Sequence, residues 1–117
     1  MIALSRHLAG QSAESAVARH YAQKGYALER SRWRGLSGEI DIILRRGADI
    51  VFVEVKSART LAEAAERLTL RQMRRIWSAA SEFLEGAPAG GRTPARIDAA
   101  LVDRQGRIEI LENAYAA

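Results

Sequence analysis

The alternation of apolar and charged positions is clearest between residues 38 and 56. One β-rich run, Glu-Ile-Asp-Ile-Ile-Leu, occupies positions 39–44, and a second, Ile-Val-Phe-Val-Glu-Val-Lys, occupies positions 50–56. The break between them is mostly polar and contains Gly47. Two such runs around a short glycine-containing break predict an antiparallel β-hairpin.

The charged residues of the first run are expected on one face of its strand. Because successive side chains of a strand point to opposite faces, Glu39 and Asp41 should share one face. By the same rule Ile40 and Ile42 should share the other face. The pattern therefore predicts a strand with one acidic and one apolar face at this end of the hairpin.

The position of the turn decides which charges of the two strands meet. Glu54 and Lys56 share a face of the second strand. A turn centred just after Gly47 would place Asp41 opposite Glu54. The same turn would place Glu39 opposite Lys56. A turn one residue earlier would instead pair Glu39 with Glu54. In either register, four charged side chains converge on one side of an apolar hairpin.

Apolar positions at helical spacing predict two longer helices. The first covers about residues 4–24 and is ended by Gly25. The second runs from Leu70 to about Glu85, with Thr69 as a plausible N-cap and Gly86 closing it. Its apolar stripe is expected in the core.

The remaining pattern predicts three further strands and their connections. Candidate strands cover residues 26–30, 95–102 and 107–111, the last at a sheet edge. Residues 60–66 read as a flexible or partly helical connection, and the Gly/Pro-rich residues 87–94 read as a loop. The order is helix, three strands, helix, two strands, which predicts an α/β fold with a mixed sheet flanked by helices.

Composition narrows the class of protein. The 117 residues suit one domain, and 48% hydrophobic with 27% charged residues is a globular balance. The net charge of +4 favours a polyanionic partner. The absence of cysteine excludes disulfides and thiolate chemistry. No apolar run is long enough for a membrane span and no secretory signal is evident, so a cytoplasmic location is expected.

The charged face of the hairpin favours a metal site. Asp41 and Glu54 would repel each other, and a hard divalent cation such as Mg²⁺ relieves that repulsion through oxygen ligands. Lys56 beside the ion could order an attacking water molecule or hold a phosphate. This chemistry is metal-assisted hydrolysis of a phosphodiester. The alternative is a solvated strand face whose Glu–Lys pairs contribute about 0.2–1 kcal/mol each.

Glu14 is an unusual residue on the first helix. It precedes Val17 and Tyr21 by three and seven positions, so it shares their apolar stripe. A carboxylate on a core-facing stripe needs a partner. Glu14 is therefore either a third acidic contributor to the metal site or an edge residue paired with an arginine.

Two groups of residues are candidates for contacting nucleic acid. Arginines flank a tryptophan just before the hairpin, where they could bind phosphate and the indole could stack on a base. The alternative is a tryptophan that plugs the sheet edge between exposed arginines. The second group lies on the polar face of the 70–85 helix, a face that is either simply solvated or grips a nucleic-acid backbone. The two groups are Arg32, Trp33 and Arg34, and Arg71, Gln72, Arg74 and Arg75.

The hairpin resembles a known family. The run Gly-Glu-Ile-Asp at 38–41, followed by Phe-Val-Glu-Val-Lys at 52–56, resembles the YraN family of uncharacterised bacterial proteins. That family belongs to the PD-(D/E)XK nuclease superfamily and is similar to archaeal Holliday-junction resolvases. The resemblance covers about residues 10–102 and implies a restriction-endonuclease-like core. It also implies that Asp41 and Glu54 bind Mg²⁺ or Mn²⁺ with the backbone carbonyl of Val55, and that Lys56 is the catalytic lysine.

The same resemblance makes Glu14 the helix carboxylate that completes the acidic cluster, while the place of Glu39 depends on the hairpin register. It implies a divalent-metal-dependent endonuclease acting on DNA, including structured or branched DNA. A homodimer would be needed to cut two strands together. The alternative function is a nucleic-acid-binding protein that keeps the fold and performs no chemistry.

Overall fold

The structure is a computed structural model that describes the backbone of residues 2–115 and the side chains of residues 10–115. It contains three α-helices, one short 3₁₀ turn at Gly90–Arg92 and five strands. In chain order the elements are α1 Ile2–Ala22, β1 Ala27–Arg34, β2 Glu39–Arg46, β3 Asp49–Ser57, α2 Leu61–Glu66, α3 Leu70–Glu85, β4 Ala95–Val102 and β5 Ile108–Leu111.

The five strands form one mixed sheet in the order β1-β2-β3-β4-β5. Neighbours are antiparallel except β3 and β4, which are parallel. A parallel pair needs a long crossover, and α2 and α3 supply it. The α/β class and the mixed sheet flanked by helices, expected from the sequence, are confirmed, and the arrangement is compatible with a restriction-endonuclease-like core.

Two apolar clusters cover the two faces of the sheet. The α1 cluster packs Val17 and Tyr21 of α1 on strand residues such as Val53. The α3 cluster packs Ile76 of α3 on strand residues such as Phe52. Along β3 the buried side chains alternate between the two clusters, so Glu54 and Lys56, which follow Phe52 at even spacing, fall on the α3 side of the sheet.

The expectation that Ile40 and Ile42 share a face is wrong. Ile40 packs in the α3 cluster, whereas Ile42 packs in the α1 cluster. Strand alternation therefore skips at Asp41, which lies between them. The physical reason lies in β1, where Arg32, between the Ser31–Ile42 and Trp33–Ile40 pairs, has a positive φ of 51°. Such a dihedral is uncommon outside glycine and distorts the strand pair locally.

The hairpin register is the first of the two considered from the sequence. Arg46 pairs with Asp49 and Ile42 pairs with Val53, so the turn is centred between positions 47 and 48. Gly47 has a φ of 61°, which a tight two-residue turn requires and which glycine adopts without a steric penalty. This register brings the ends of the strands that carry Asp41 and Glu54 side by side.

Helix capping follows the sequence closely. The Oγ1 of Thr69 accepts a hydrogen bond from the N–H of Gln72, and α3 covers the predicted residues 70–85. Thr60 caps α2 in the same way, so of the two forms expected for residues 60–66, flexible or partly helical, the helical one is present. Strand β4 also covers its predicted residues. Strand β1 extends to Arg34, four residues beyond the prediction, because Trp33 packs in the α3 cluster.

A buried polar network fixes α1 on the sheet. Asp98 of β4 is fully buried and accepts a hydrogen bond from the hydroxyl of Tyr21 at 2.7 Å. It also accepts hydrogen bonds from Nε of Arg96 at 2.9 Å and from the backbone N–H of Asn113 at 3.0 Å. A buried carboxylate is tolerated only with such partners. The network holds the helix that carries Glu14 at a set position over the sheet.

Candidate active site

The carboxylate of Asp41 crosses from β2 to β3. Its Oδ2 accepts a hydrogen bond from the backbone N–H of Val55 at 2.8 Å. Asp41 is half-buried at the place where strand alternation skips, so its side chain is free to turn toward β3 rather than toward solvent. The hydrogen bond holds Asp41 beside Glu54, the residue that precedes Val55.

Glu54 carries the strongest electrostatic signature of the site. Its side chain is only 13% exposed. Burial raises the pKa of Glu54 to about 8, with the charge of Asp41 and a hydrogen bond between the two carboxyl groups acting in the same direction and Lys56 in the opposite one. Ionisation of both carboxyl groups near neutral pH is unfavourable, and a bound cation would relieve the repulsion between the two negative charges.

Lys56 completes the group on β3. Its Nζ lies 3.5 Å from Oε1 of Glu54, and its side chain is 15% exposed. The two residues are neighbours on one strand face, as the alternation predicts. A largely buried ammonium beside the Glu54 carboxylate is a type of group that binds anions such as phosphate.

Asp41 and Glu54 border a cleft of about 280 Å³ between the hairpin and α3. Gln72 of α3 lines the cleft with the carboxylates, and its Oε1 is buried without a hydrogen-bond partner among the described residues. An orphaned acceptor of this kind calls for a ligand or solvent donor. Gln72, expected only as a substrate contact on the helix surface, therefore belongs to the wall of the cleft itself. The remaining lining residues are Arg34, Gly38, Glu39, Arg75 and Ile76.

The donor set fits a hard divalent cation. Two adjacent carboxylates and an unpartnered amide oxygen are oxygen donors, which suit Mg²⁺ or Mn²⁺. Among residues 10–115 no group of three Asp, Glu, His or Cys side chains is arranged to hold a metal. Mg²⁺ is commonly held by only one or two carboxylates together with substrate phosphates and water, so a two-carboxylate site is sufficient.

Glu14 lies at the margin of the acidic cluster and is paired with an arginine. Its Oε1 accepts a hydrogen bond from Nε of Arg32 at 3.1 Å. Burial raises the pKa of Glu14, the charges of Asp41 and Glu39 act in the same direction, and Arg32 opposes them. The structure thus realises the arginine-paired alternative for Glu14 while keeping it within electrostatic reach of Asp41.

Of the residues before the hairpin, Trp33 packs against its neighbours and Arg34 is exposed. The Trp33 ring meets Phe83 edge-to-face at 5.4 Å between centroids, and Phe83 meets Phe52 at 5.8 Å. This packing favours the interpretation of Trp33 as a plug at the sheet edge. Arg34 is exposed and its Nη2 lies 3.2 Å from Oε2 of Glu39. Glu39 therefore faces Arg34 at the rim of the cleft.

The arginines of α3 form a cationic rim. Arg71, Arg74 and Arg75 are exposed, and none of them forms an ion pair within the part of the chain whose side chains are described. Arg75 also lines the cleft, where its stem approaches Gly38 so closely that an added Cβ would lie 3.1 Å from it. Uncompensated arginines next to a cleft are suited to phosphate oxygens.

Sequence reasoning missed the turn between β1 and β2. The backbone N–H of Gly35 donates to the carbonyl of Gly38 at 2.9 Å, which closes a tight turn over Leu36 and Ser37. Glu82 of α3 accepts hydrogen bonds from the N–H and the hydroxyl of Ser37 at 3.4 and 3.3 Å. The only sequence signal was the Gly-Leu-Ser-Gly spacing, because the anchoring glutamate lies 45 positions away.

Fold and cleft together define the class of protein, an α/β protein with a mixed five-stranded sheet and a partly buried acidic pair, Asp41 and Glu54, with a lysine beside Glu54. The chain belongs to uncharacterised protein family UPF0102, whose family model matches residues 13–102. UPF0102 is the YraN family, so the family expected from the hairpin motif is confirmed.

Relatives across most of the chain support this membership. A UPF0102 protein of Cereibacter sphaeroides is 57% identical over 111 residues, covering 95% of this chain and 95% of the relative. One from Ruegeria pomeroyi is 57% identical over 109 residues, which cover 93% of this chain and 89% of the relative. One from Dinoroseobacter shibae is 43% identical over 106 residues, which cover 91% of this chain and 79% of the relative.

None of the helices between residues 2 and 115 has the length and apolar character needed to cross a bilayer.

Proposed function

We propose that this protein is a divalent-metal-dependent endonuclease that hydrolyses phosphodiester bonds in DNA, including structured or branched DNA. The observation that carries the proposal is the pair of carboxyl groups of Asp41 and Glu54 at one cleft, with Nζ of Lys56 3.5 Å from Glu54 and the pKa of Glu54 raised to about 8. Perturbed carboxyl groups in a cleft are typical of functional sites. The PD-(D/E)XK resemblance implies metal-binding and catalytic roles for the same residues, which supports the proposal.

Each residue would have a separate part in the reaction. Asp41 and Glu54, with the backbone carbonyl of Val55, would hold Mg²⁺ or Mn²⁺. When bound, such an ion supplies an activated water nucleophile and positive charge beside the phosphate. Lys56 would bind a phosphate oxygen or orient the attacking water. Hydrolysis joins the water oxygen to phosphorus and breaks the bond to one sugar oxygen, which leaves with a proton.

The α3 arginines would bind the DNA backbone along the rim of the cleft. Arg71, Arg74 and Arg75 present guanidinium groups without ion-pair partners in the described structure, and Arg34 extends the rim on the hairpin side. Interactions of this kind position the duplex without reading its sequence. Arg32 is less available for the role because it pairs with Glu14.

The test is cleavage of labelled linear, single-stranded and four-way-junction DNA with Mg²⁺, with Mn²⁺ and with a chelator. Asp41→Asn should lower the rate at least about a hundredfold, because a metal ion contributes several kcal/mol to the transition state. The matched control is Asp49→Asn, an exposed aspartate on the same hairpin, which should cut like the wild type. Equal rates for both variants would exclude the proposed role of Asp41.

A second candidate, a nucleic-acid-binding protein without catalysis, is favoured by two observations. Glu14 is paired with Arg32, and among residues 10–115 no three Asp, Glu, His or Cys side chains are arranged to hold a metal. Such a protein would bind DNA with a steep salt dependence and form no product when Mg²⁺ is added. The cleavage assay separates the two candidates directly.

A further inference from the structure

The tip of the β1–β2 turn carries an unusual side chain. Leu36 is 101% exposed, more than the other exposed large apolar residues, such as Leu28 at 54% and Leu70 at 57%. Single exposed leucines are ordinary on protein surfaces, so exposure alone indicates little. The exposure of Leu36 is informative because its turn is fixed by α3 and borders the acidic cleft.

The turn that presents Leu36 is held firmly. Besides the Gly35–Gly38 backbone hydrogen bond, Glu82 of α3 accepts two hydrogen bonds from Ser37. A Cβ on Gly35 would collide with the Glu82 carboxylate and lie 2.9 Å from the Trp33 ring. The backbone of the turn is thus packed against α3 while its one large side chain is fully exposed. Leu36 is presented by a preorganised support, which lowers the entropy cost of its binding.

The turn also lies at the mouth of the acidic cleft. Gly38 and Glu39, which follow it directly, line the cleft together with Asp41 and Glu54. Arg34 precedes the turn, and the stem of a second arginine, at position 75, packs against Gly38. An apolar tip next to a cleft that two arginines line is suited to a ligand that offers both phosphates and apolar ring faces, which is the chemistry of a nucleic acid.

We infer that Leu36 is a wedge that inserts between bases of DNA bound at the cleft. The inference rests on the proposed function and specifies its substrate class. An apolar side chain inserted at a base step unstacks and kinks the duplex. Unstacking is easiest where pairing is already absent, as in a mismatch, a flap or a junction. Duplexes with an unpaired step near the cut phosphodiester are therefore the preferred substrates.

The experiment measures binding and base unstacking in Ca²⁺, a hard cation that accepts the same oxygen ligands. The probes are a fully paired duplex and the same duplex with a central two-base bubble, each carrying 2-aminopurine next to the centre. The proteins are the wild type, Leu36→Ala and the control Leu70→Ala, an exposed leucine at the start of α3. Thermal unfolding should be unchanged in Leu36→Ala, because the side chain is fully exposed.

The wild type should bind the bubble about tenfold more tightly than the paired duplex and raise 2-aminopurine fluorescence. Leu36→Ala should reduce the preference to about twofold or less and abolish the fluorescence change, while Leu70→Ala keeps both. An unchanged preference in Leu36→Ala, with DNA still bound, would overturn the wedge and leave the proposed function intact. Absence of DNA binding in the wild type would contradict both the wedge role of Leu36 and the proposed function. A change in oligomeric state with Leu36→Ala and no change in DNA binding would overturn the wedge in favour of a protein interface.

Discussion

Asp41 of β2 accepts a hydrogen bond from the backbone N–H of Val55 on β3 at 2.8 Å. This single interaction ties one carboxylate to the strand that carries Glu54 and Lys56. It is made possible by the skip in strand alternation at Asp41, which places Ile40 and Ile42 on opposite faces. The site is therefore a consequence of local irregularity in an otherwise regular hairpin, as is common next to active sites.

Neutralising Glu54 should stabilise the protein at neutral to alkaline pH. The pKa of Glu54 is about 8 in the folded chain against an ordinary 4.5. Between these two pH values Glu54 ionises in the unfolded chain but stays protonated in the folded chain, so stability falls as pH rises from 4.5 to 8. Without divalent cations, Glu54→Gln should raise the free energy of unfolding by on the order of 2 kcal/mol at pH 8 and have little effect near pH 4.

Urea denaturation between pH 4 and pH 8.5 measures this difference. Glu109→Gln, on the edge strand β5, is the matched control and should follow the wild type at every pH, because its side chain is exposed. If the free energy of unfolding changed with pH in the same way for the wild type and Glu54→Gln, the raised pKa of Glu54 would be contradicted.

The hydroxyl of Tyr21 should stabilise the fold through Asp98. Tyr21→Phe should lower the free energy of unfolding by about 1.5–3 kcal/mol, because the hydrogen bond is buried and its acceptor is charged. Burial and Asp98 raise the pKa of Tyr21, so the wild type should also become less stable as pH rises above 10, while Tyr21→Phe should not share that part of the decline. Denaturation at pH 7 and pH 10.5 checks both effects, with Tyr115→Phe as the control.

Trp33 should matter for stability more than for DNA binding. Trp33→Ala should destabilise the protein by about 2 kcal/mol, because the indole is half-buried against Phe83. Trp33→Phe should recover most of this stability in the same denaturation assay. If DNA affinity falls in Trp33→Phe while stability is retained, the indole stacks on a base and the sheet-edge interpretation is wrong.

The α3 arginines should set the salt dependence of DNA binding. Replacing Arg71, Arg74 and Arg75 with Gln should lower affinity and reduce the slope of log K against log salt by about 0.9 for each phosphate that is no longer neutralised. Fluorescence anisotropy at several salt concentrations measures both quantities.

The control for the α3 variant replaces three exposed arginines elsewhere, Arg19, Arg92 and Arg104, and has the same net charge. Because only the position of the removed charges differs, a general loss of positive charge would affect both triple variants alike. Equal slopes in the two variants would show that α3 does not bind DNA.

Local signals predicted much of the fold. The glycine-containing break at position 47 predicted the hairpin but left two registers open, and Thr69 with Gly86 predicted the bounds of α3. Such features depend on a few neighbouring residues, which are visible in sequence. The acidic pair on the hairpin was predictable for the same reason.

What could not be predicted depends on residues that are distant in sequence. The skip at Asp41 accompanies a strained dihedral at Arg32, whose guanidinium pairs with Glu14 on another element. The firm turn under Leu36 depends on Glu82, 45 positions from the serine that it anchors. Strand alternation assumes regular pairing, and it fails where tertiary interactions override that pairing.

The proposed nuclease activity depends on Asp41 and Glu54 together holding a divalent cation. Calorimetric titration of Mn²⁺ into the wild type, Asp41→Asn and Asp49→Asn tests it without requiring a substrate. One site should be detected in the wild type and in Asp49→Asn, with affinity reduced at least about tenfold in Asp41→Asn. Equal binding by all three proteins, or no binding by the wild type, would contradict it.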